Sequence, residues 1–289
     1  MLLRAFAKIN LDLRILGRRT DGYHEVRTVL QTIDWFDEIR IDPASRFTFA
    51  CNGGPPDIAK DEGNLVVRAV RGFERQLGRP LNVRIELQKN LPVGAGLGGG
   101  SADAAVTLLG LQQMFGNPLS SKGFLDCLRS LGSDVPFFAL GGRALGTGRG
   151  DEVVPLEDES DHWLVVVHSG VYVSTAEAYS WLTVPGDSNT IEGFYNPSDP
   201  GRGVDLPGND FESAVFEQHP VLKEIRNSLL LLGARQALLS GSGSAVFGRF
   251  DREGDAVTAA SQLVRYGTAR VTRPLSRLEY LRSVFVRSA

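Results

Sequence analysis

Fifteen residues near the middle of the chain, LPVGAGLGGGSADAA from Leu91 to Ala105, constrain the fold most strongly. Five of the seven residues from 94 to 100 are glycines, and a helical pattern follows them at once. Glycine adopts backbone angles closed to other residues and carries no Cβ, so several N–H groups can converge on one point. The N-terminus of the following helix adds its own unpaired N–H groups. This pattern predicts a loop that binds an anion, and phosphate is the expected ligand.

Two known phosphate loops fit the pattern less well. A Walker A loop needs a lysine directly after its last glycine, whereas Ser101 follows Gly100 here. Gly94, Gly96 and Gly99 satisfy G-x-G-x-x-G, but the later segment NPLSSKGFLD offers no acidic residue at the end of a second strand. A glycine-rich turn without a ligand is the remaining alternative. Nucleotide phosphate binding is the working hypothesis.

Composition limits the class of protein. A chain of 289 residues with 42% hydrophobic content can form one large domain or two ordinary ones. The net charge of -3, without a basic run, argues against nucleic acid as a partner. No apolar stretch approaches a membrane span and no signal peptide is recognised, so we expect a cytoplasmic protein. Two cysteines and four scattered histidines predict no metal site of the chain's own.

Hydrophobic periodicity predicts a chain that mixes strands and helices. Alternating apolar residues over 3–15 indicate a strand on which Lys8 and Asn10 share one face. An acidic, loop-like stretch over 151–161 suggests a domain boundary, and a long surface loop is expected over 185–207. The other predicted strands are 38–41, 46–50, 81–87, 163–167, 236–239 and 245–250, and the predicted helices are 65–77, 121–131, 220–232 and one that starts at Thr175 and carries Tyr179.

Three segments stand out together: AKIN followed by DGYHE, the glycine loop, and SGSGSAVF near the end. In this order they resemble the three motifs of the GHMP kinases, the small-molecule kinases that include galactokinase, homoserine kinase and mevalonate kinase. The resemblance covers nearly the whole chain, through AKINLDLRILGRRTDGYHE (7–25), the glycine loop, LGSDVPFF (131–138) and LLSGSGSAVF (238–247). Of these, the first string distinguishes the branch that acts on a cytidine diphosphate-linked methylerythritol. One departure is Ala102, where family members often have a second serine.

The resemblance implies an α+β fold of two domains with the ligands in the cleft between them. Residues 1–157 would form the ATP-binding domain, similar to the second domain of ribosomal protein S5. Residues 158–289 would form a C-terminal domain of the ferredoxin-like type.

The resemblance also implies an activity and its two central residues. ATP, accompanied by Mg²⁺, would phosphorylate the 2-hydroxyl of the methylerythritol, giving the 2-phosphate and ADP in the non-mevalonate isoprenoid pathway. Asp134 would be the carboxylate at that hydroxyl and Lys8 its cationic neighbour. From the residues alone, Asp134 is also an ordinary helix N-cap and Lys8 an ordinary snorkelling lysine. Whether Asp134 takes the proton or only positions the hydroxyl stays open.

The family pattern assigns the remaining site residues. Tyr23 and His24 would recognise the cytosine ring, by stacking and by hydrogen bonds, although a surface histidine is the plain alternative for His24. For Thr175 and Tyr179, the start of a helix that carries a buried tyrosine is an almost equally good explanation. Asn10, Thr175 and Tyr179 would complete the substrate pocket; Pro92, Val93, Gly94, Ala95, Gly96, Leu97, Gly98, Gly99, Gly100, Ser101 and Ala102 would wrap the ATP phosphates, and Asn64 and Lys89 would contribute to the adenosine pocket.

Two rival functions follow from the same motifs. Another kinase of the group, for homoserine or mevalonate, would lack the DGYHE loop. A non-catalytic nucleotide-binding protein would have no need to keep both Lys8 and Asp134. No oligomeric state is predicted.

Overall fold

A computed structural model describes residues 1–182 and 208–286, so the surface loop predicted over 185–207 lies outside the described residues. The first sheet is built around a long antiparallel hairpin of β1 (Leu2–Arg18) and β2 (His24–Pro43). The sequence pattern predicts only 38–41 of β2, because both faces of this strand are partly buried and its apolar residues do not alternate. The hairpin carries Lys8 and Asn10 into the interior.

Five shorter strands, β3 to β6 and β11, complete the first sheet. The strand order is β11-β1-β2-β4-β3; β5 pairs with another part of β2, and β6 pairs with β5. Strands β3 and β4 are parallel, and the other pairs in this sheet are antiparallel. Predicting 151–161 as a loop is wrong over Glu152–Pro155, which pairs with its neighbour as an edge strand. The five strands are β3 (Thr48–Gly53), β4 (Val83–Lys89), β5 (Arg143–Thr147), β6 (Glu152–Pro155) and β11 (Phe285–Val286).

Helices pack against this sheet around one central helix. They are α1 (Leu65–Leu77), α2 (Gly99–Met114), α3 (Ser121–Leu131), α4 (Val135–Leu140) and α9 (Arg277–Val284). Helix α2 is central, since α1, α3 and α4 pack around it and its residues from Ala102 to Leu108 are all buried. The predicted bounds of α1 and α3 are confirmed because local signals define their ends: Asn64 caps α1 and Gly78 ends it in the left-handed region.

A second, four-stranded antiparallel sheet has the order β10-β7-β9-β8. One face packs against two helices, and the other packs against the β1–β2 hairpin, where Leu164, Val166 and Phe247 meet Ile9 and Trp35. This shared core holds the two sheets together. The strands are β7 (Trp163–His168), β8 (Gln236–Leu239), β9 (Val246–Phe250) and β10 (Thr268–Thr272), and the helices are α5 (Thr175–Ser180), α6 (Glu212–Gln218), α7 (Pro220–Leu231) and α8 (Glu253–Leu263), followed by a 3-10 turn at Val264–Tyr266.

The last described residues return to the first sheet. Strand β11 pairs with β1, and Tyr280 and Val284 of α9 join the core of the first domain. We therefore propose the division into 1–157 and 158–289 as a division of the chain between two sheets, with residues 275–286 packing back across it. Within 1–182 and 208–286, every helix is too short or too polar to traverse a lipid bilayer.

Candidate active site

The glycine loop joins β4 to α2 and lines a cavity of about 480 Å³, a volume typical of a small-molecule site. Gly94, Gly96 and Gly98 have φ angles of 68°, 76° and 69°, in the region that favours glycine. Helix α2 begins at Gly99, and no side chain caps its N-terminus. The first amide groups of α2 and the partial positive charge of its dipole therefore remain available to an anion in the cavity.

The second glycine cluster, residues 240–244, packs directly against this loop. The amide of Ala245 donates to the carbonyl of Ala95 at 2.9 Å, and Ser240 Oγ donates to the carbonyl of Gly96 at 3.0 Å. An ideal Cβ on Gly96 would lie 2.0 Å from the carbonyl oxygen of Ser240, closer than real contacts allow. The loop and the turn thus fix each other's position by backbone contact, which explains why both segments are rich in glycine.

Lys8 reaches the cavity from β1 with only 4% of its side chain exposed. Its Nζ donates to Asn10 Oδ1 at 2.6 Å and to the carbonyl of Gly96 at 2.8 Å, and it lies 3.5 Å from Asp134 Oδ2. Burial lowers the pKa of Lys8, and the charge of Asp134 opposes that shift. A buried ammonium needs such partners, so Lys8, the phosphate loop and Asp134 form one connected group.

Asp134 stands at the N-terminus of α4 but makes no capping hydrogen bond there. Its side chain is 39% exposed, lines the cavity and faces Lys8. Across the cavity, burial and the charge of Asp134 raise the pKa of Tyr179 to about 12. The carboxylate is therefore directed at the cavity rather than at the backbone, and capping does not account for it.

The two residues predicted for adenosine both line the cavity but are held by protein contacts. Asn64 caps α1, accepting from the amide of Val66 and donating to the carbonyl of Ala59, both at 2.9 Å. Its amide group therefore positions the start of α1 at the cavity wall. Lys89, at the end of β4, is 8% exposed and lies beneath the start of α2.

Lys89 belongs to a buried cluster with two aspartates. Its Nζ contacts Asp37 and lies 2.8 Å from Asp103 Oδ2, while Asp37 Oδ1 accepts from the amides of Asn90 and Leu91 at 2.5 and 2.8 Å. Burial raises the pKa of Asp103 to about 7, against the opposing charge of Lys89. The cluster ties β2, the first residues of the loop and α2 together.

Four substrate candidates, Tyr23, His24, Thr175 and Tyr179, gather in or beside the cavity wall, and we call this group the substrate end. Thr175 and Tyr179, on α5, line it, and Thr175 Oγ1 lies 3.1 Å from Ser242 Oγ. The His24 ring stacks on Tyr179 with centroids 4.5 Å apart and an angle of 14° between the planes. Tyr23 is 54% exposed, with the guanidinium of Arg149 4.8 Å from its ring centroid.

The structure brings most of the predicted site residues to one cavity. Tyr23 and His24 lie beside it, next to Arg149 and Tyr179, rather than in its wall. Ala102 does not line it, because its side chain is fully buried and its amide already donates to the carbonyl of Gly98 at 2.9 Å. The predicted residues in the wall are Lys8, Asn10, Asn64, Lys89, the loop from Pro92 to Ser101, Asp134, Thr175 and Tyr179.

Several residues of the wall were not predicted. Thr28 and Arg149 come from parts of the chain with no motif, and they reach the cavity only because β2 and β5 pair beside it. Gly241 and Ser242 are different, because they belong to the second glycine cluster, which the sequence predicts to pack against the nucleotide loop and the substrate; both line the cavity. Asp103 fits the helix dipole by sequence, whereas the structure buries it against Lys89.

Comparison with known proteins fits this geometry. The family model for the "GHMP kinases N terminal domain" matches residues 64–142, and the model for "GHMP kinases C terminal" matches residues 196–269. A protein of Solibacter usitatus named 4-diphosphocytidyl-2-C-methyl-D-erythritol kinase is 43% identical over 96% of this chain and 90% of its own length. One from Geobacter sp. with the same name is 39% identical over 90% of this chain and 93% of its own. The chain belongs to the 4-diphosphocytidyl-2-C-methyl-D-erythritol kinase family, a branch of the GHMP kinases.

Solved structures agree with this assignment. A crystal structure of a 4-(cytidine 5'-diphospho)-2C-methyl-D-erythritol kinase superposes with a TM-score of 0.78 and 36% identity, over 95% of this chain and 99% of the other. A homoserine kinase from Cytophaga hutchinsonii superposes with a TM-score of 0.66 at 18% identity, over 94% of each chain, which shows a shared fold. The kinase described here therefore has the two-domain α+β fold that its motifs imply.

Proposed function

We propose that this kinase transfers the γ-phosphoryl group of ATP to the 2-hydroxyl of 4-diphosphocytidyl-2-C-methyl-D-erythritol, a step of the non-mevalonate isoprenoid pathway that we place in the cytoplasm. The observation that carries the proposal is the pairing of Lys8 with Asp134 in the same cavity as the glycine loop. A phosphate site alone binds a nucleotide, whereas a carboxylate held beside it can orient an alcohol for phosphorylation.

Asp134 and Lys8 act on the attacking hydroxyl. Asp134 accepts a hydrogen bond from the 2-hydroxyl, which directs an oxygen lone pair at the γ-phosphorus, and the hydroxyl proton passes to the Asp134 carboxylate. A bond forms from this oxygen to phosphorus while the bond from phosphorus to the bridging oxygen of ADP breaks. Lys8 lies between Asp134 and the carbonyl of Gly96. Its positive charge therefore stabilises the ionised carboxylate of Asp134 and the negative charge of the phosphoryl group during transfer.

The loop and the start of α2 hold the phosphates of ATP. Residues from Gly94 to Ser101 line the cavity, and Ser101 stands in the first turn of α2, so their backbone amides and the Ser101 hydroxyl are suited to bind phosphate oxygens. Mg²⁺ prefers hard oxygen ligands and is held by few protein groups besides phosphate oxygens, so the Ser101 hydroxyl at the start of α2 would suit it. When bound with ATP, Mg²⁺ neutralises charge on the phosphates.

The substrate end suits the cytidine half of the substrate. His24 and Tyr179 already stack face to face, and Tyr23 lies over Arg149 beside them. Flat aromatic faces and an imidazole with two ring nitrogens are the groups that bind a pyrimidine by stacking and by edge hydrogen bonds. Asn10, which contacts Lys8, and Thr175 of α5 also line the cavity and offer polar groups to the polyol.

The test is an ATP-consumption assay with the purified protein, Mg·ATP and three separate alcohols: 4-diphosphocytidyl-2-C-methyl-D-erythritol, homoserine and mevalonate. We expect ADP release with the first alone, accompanied by a new phosphomonoester signal in the ³¹P NMR spectrum of the product. Turnover with homoserine or mevalonate instead would refute the substrate assignment. ATP binding without turnover of any alcohol would favour a non-catalytic nucleotide-binding protein.

A further inference from the structure

Thr28 lies under the cavity, on β2, and is 4% exposed. Its hydroxyl sits between two groups of the neighbouring strand. It donates to the backbone carbonyl of Asp12 at 2.7 Å, and it accepts from Asn10 Nδ2 at 2.8 Å. Neither contact reaches a ligand directly, so the significance of Thr28 depends on what it does to Asn10.

The Thr28 hydroxyl decides which way the Asn10 amide points. A hydroxyl has one proton, and the carbonyl of Asp12 takes it. Only an acceptor then remains for Asn10, which must present its NH₂ group to Thr28 and its oxygen to the other side. The two ends of an amide are alike in shape, so its hydrogen-bond partners set its orientation.

The orientation of the amide matters because its oxygen faces Lys8. The distance from Lys8 Nζ to Asn10 Oδ1 is 2.6 Å, shorter than the distances from Nζ to the Gly96 carbonyl or to Asp134. A reversed amide would place an NH₂ group against a buried ammonium, donor against donor. Lys8 would then lose an acceptor in a site where unpaired charge is costly.

The backbone builds this arrangement into the hairpin. The register of β1 against β2 shifts between Asn10, which pairs with Leu30, and Asp12, which pairs with Val29, so the chain bulges at this point. Such bulges re-aim side chains next to active sites. On the far side of Thr28, an ideal Cβ on Gly146 would lie 3.1 Å from Thr28 Cγ2, so glycine leaves space for the threonine methyl group and confines the side chain.

We propose that Thr28 is a positioning residue for phosphoryl transfer: its hydroxyl fixes the polarity of the Asn10 amide and thereby holds the Lys8 ammonium beside Asp134. This inference rests on the proposed function, because it assigns Thr28 a role in the group of residues that performs the transfer. It requires a hydroxyl at position 28, and not merely a side chain of that size.

Three variants test the proposal. Thr28→Val keeps the shape and removes the hydroxyl, and Thr28→Ser keeps the hydroxyl and removes the methyl group. Thr32→Val is the matched control, because Thr32 is fully buried on the same strand, pairs with Lys8 in the ladder, and has a hydroxyl without a hydrogen-bond partner among the described residues.

We expect Thr28→Val to lower kcat by about ten- to a hundredfold with little change in the KM for ATP, the loss typical of one hydrogen bond to a charged group. Thr28→Ser and Thr32→Val should keep kcat near that of the unchanged protein. The alkaline limb of kcat should also move to lower pH in Thr28→Val. Among the described residues, Asp134 of α4 is the charged group that acts on Lys8, and the charge of Asp134 acts in turn on Tyr179 of α5. The pKa of Tyr179 is raised to about 12, so a limb that lies below that value is assigned to Lys8.

A measurement without turnover separates this inference from the proposed function. The chain has five lysines, so NMR of protein labelled with ¹³C at lysine Cε can follow the titration of Lys8, assigned with Lys8→Met. Thr28→Val should lower the pKa of Lys8, whereas Thr28→Ser and Thr32→Val should not. The same Lys8 titration in Thr28→Val and in the unchanged protein would overturn the inference, whatever alcohol is phosphorylated. If Thr28→Val does not fold, Thr28→Ala is measured in its place and must show the same lowered pKa.

Discussion

The contact between the two glycine clusters predicts that Gly96→Ala disrupts the nucleotide site. The new Cβ would lie 2.0 Å from the carbonyl oxygen of Ser240, whereas carbon and carbonyl oxygen in close contact are about 3.3 Å apart. The loop and the turn must therefore separate by about 1.3 Å, the difference between these two distances. The φ of 76° at Gly96 adds strain for any residue with a Cβ.

The expected magnitude follows from the contacts that this movement would break. Two hydrogen bonds join the turn to the loop, from Ala245 to Ala95 and from Ser240 to Gly96, and a third joins Lys8 of β1 to Gly96. At about 1 kcal/mol each, plus about 1–2 kcal/mol for the left-handed backbone, the variant should lose roughly 4–5 kcal/mol of unfolding free energy when the loop and the turn separate. The same movement displaces the loop that lines the ATP site, so the affinity for Mg·ATP should fall as well.

The assay therefore needs two readouts, urea denaturation followed by circular dichroism, and Mg·ATP binding by isothermal titration calorimetry. Gly116→Ala is the matched control, because Gly116 has a φ of 75° and an ideal Cβ there meets nothing within 4 Å. It should lose only the backbone strain, about 1–2 kcal/mol, and bind ATP normally. If Gly96→Ala matches this control in both stability and ATP affinity, the reasoning is refuted.

Three further predictions use other parts of the structure. Burial raises the pKa of Asp103 from 3.8 to about 7, so its contribution to stability is full below about pH 4 and is lost as the pH rises through 7. Asp103→Asn leaves Lys89 one aspartate partner and should reduce the fall of the unfolding free energy with pH, measured by urea denaturation. An equal fall in Asp103→Asn and in the unchanged protein would contradict this. Hydrogen bonds from Ser276 lower the pKa of Glu279 to about 2, so the contribution of Glu279 to stability is full above pH 4.5 and is lost toward pH 2. Glu279→Gln should therefore lower the melting temperature at pH 7 and not at pH 2. An equal change in melting temperature at the two pH values would count against this. Arg149 lines the substrate end of the cavity, so Arg149→Gln should raise the KM for a diphosphate-containing substrate and leave the KM for ATP unchanged in steady-state assays; an equal rise in both would disprove the assignment.

Local signals in the sequence were sufficient for many elements of the fold. The start of α1 follows from Asn64 and its end from Gly78 and Pro80, because caps act within one turn of the helix. The glycine loop and the helix after it were also predictable, since so many closely spaced glycines serve close backbone approach.

The long strand β2 could not be predicted in full from its pattern. It spans His24–Pro43, and its residues contact β1, β4 and β5 in turn, so both faces are covered over much of its length. A strand buried on both faces shows no period of two, and the pattern reveals only its last part. Thr28 lies in the part of β2 that the pattern does not predict, so its contact with Asn10 could not be predicted either.

The cluster around Lys89 shows a second limit. Asp37, Lys89 and Asp103 are 52 and 14 residues apart along the chain, and no motif joins them. Their association depends on the pairing of β2 with β4 and on the direction in which α2 leaves the loop. By contrast, Lys8 and Asp134 were paired in advance through family resemblance, and the structure places them 3.5 Å apart.

The most direct test of the central claim compares Asp134→Asn with the unchanged protein. Asparagine keeps the size of the side chain and removes the charge beside Lys8. We expect Mg·ATP affinity by calorimetry to stay within about threefold, while single-turnover phosphorylation of 4-diphosphocytidyl-2-C-methyl-D-erythritol falls by about a hundredfold or more. Near-normal turnover in Asp134→Asn, with ATP bound as in the unchanged protein, would show that this carboxylate does not direct the transfer.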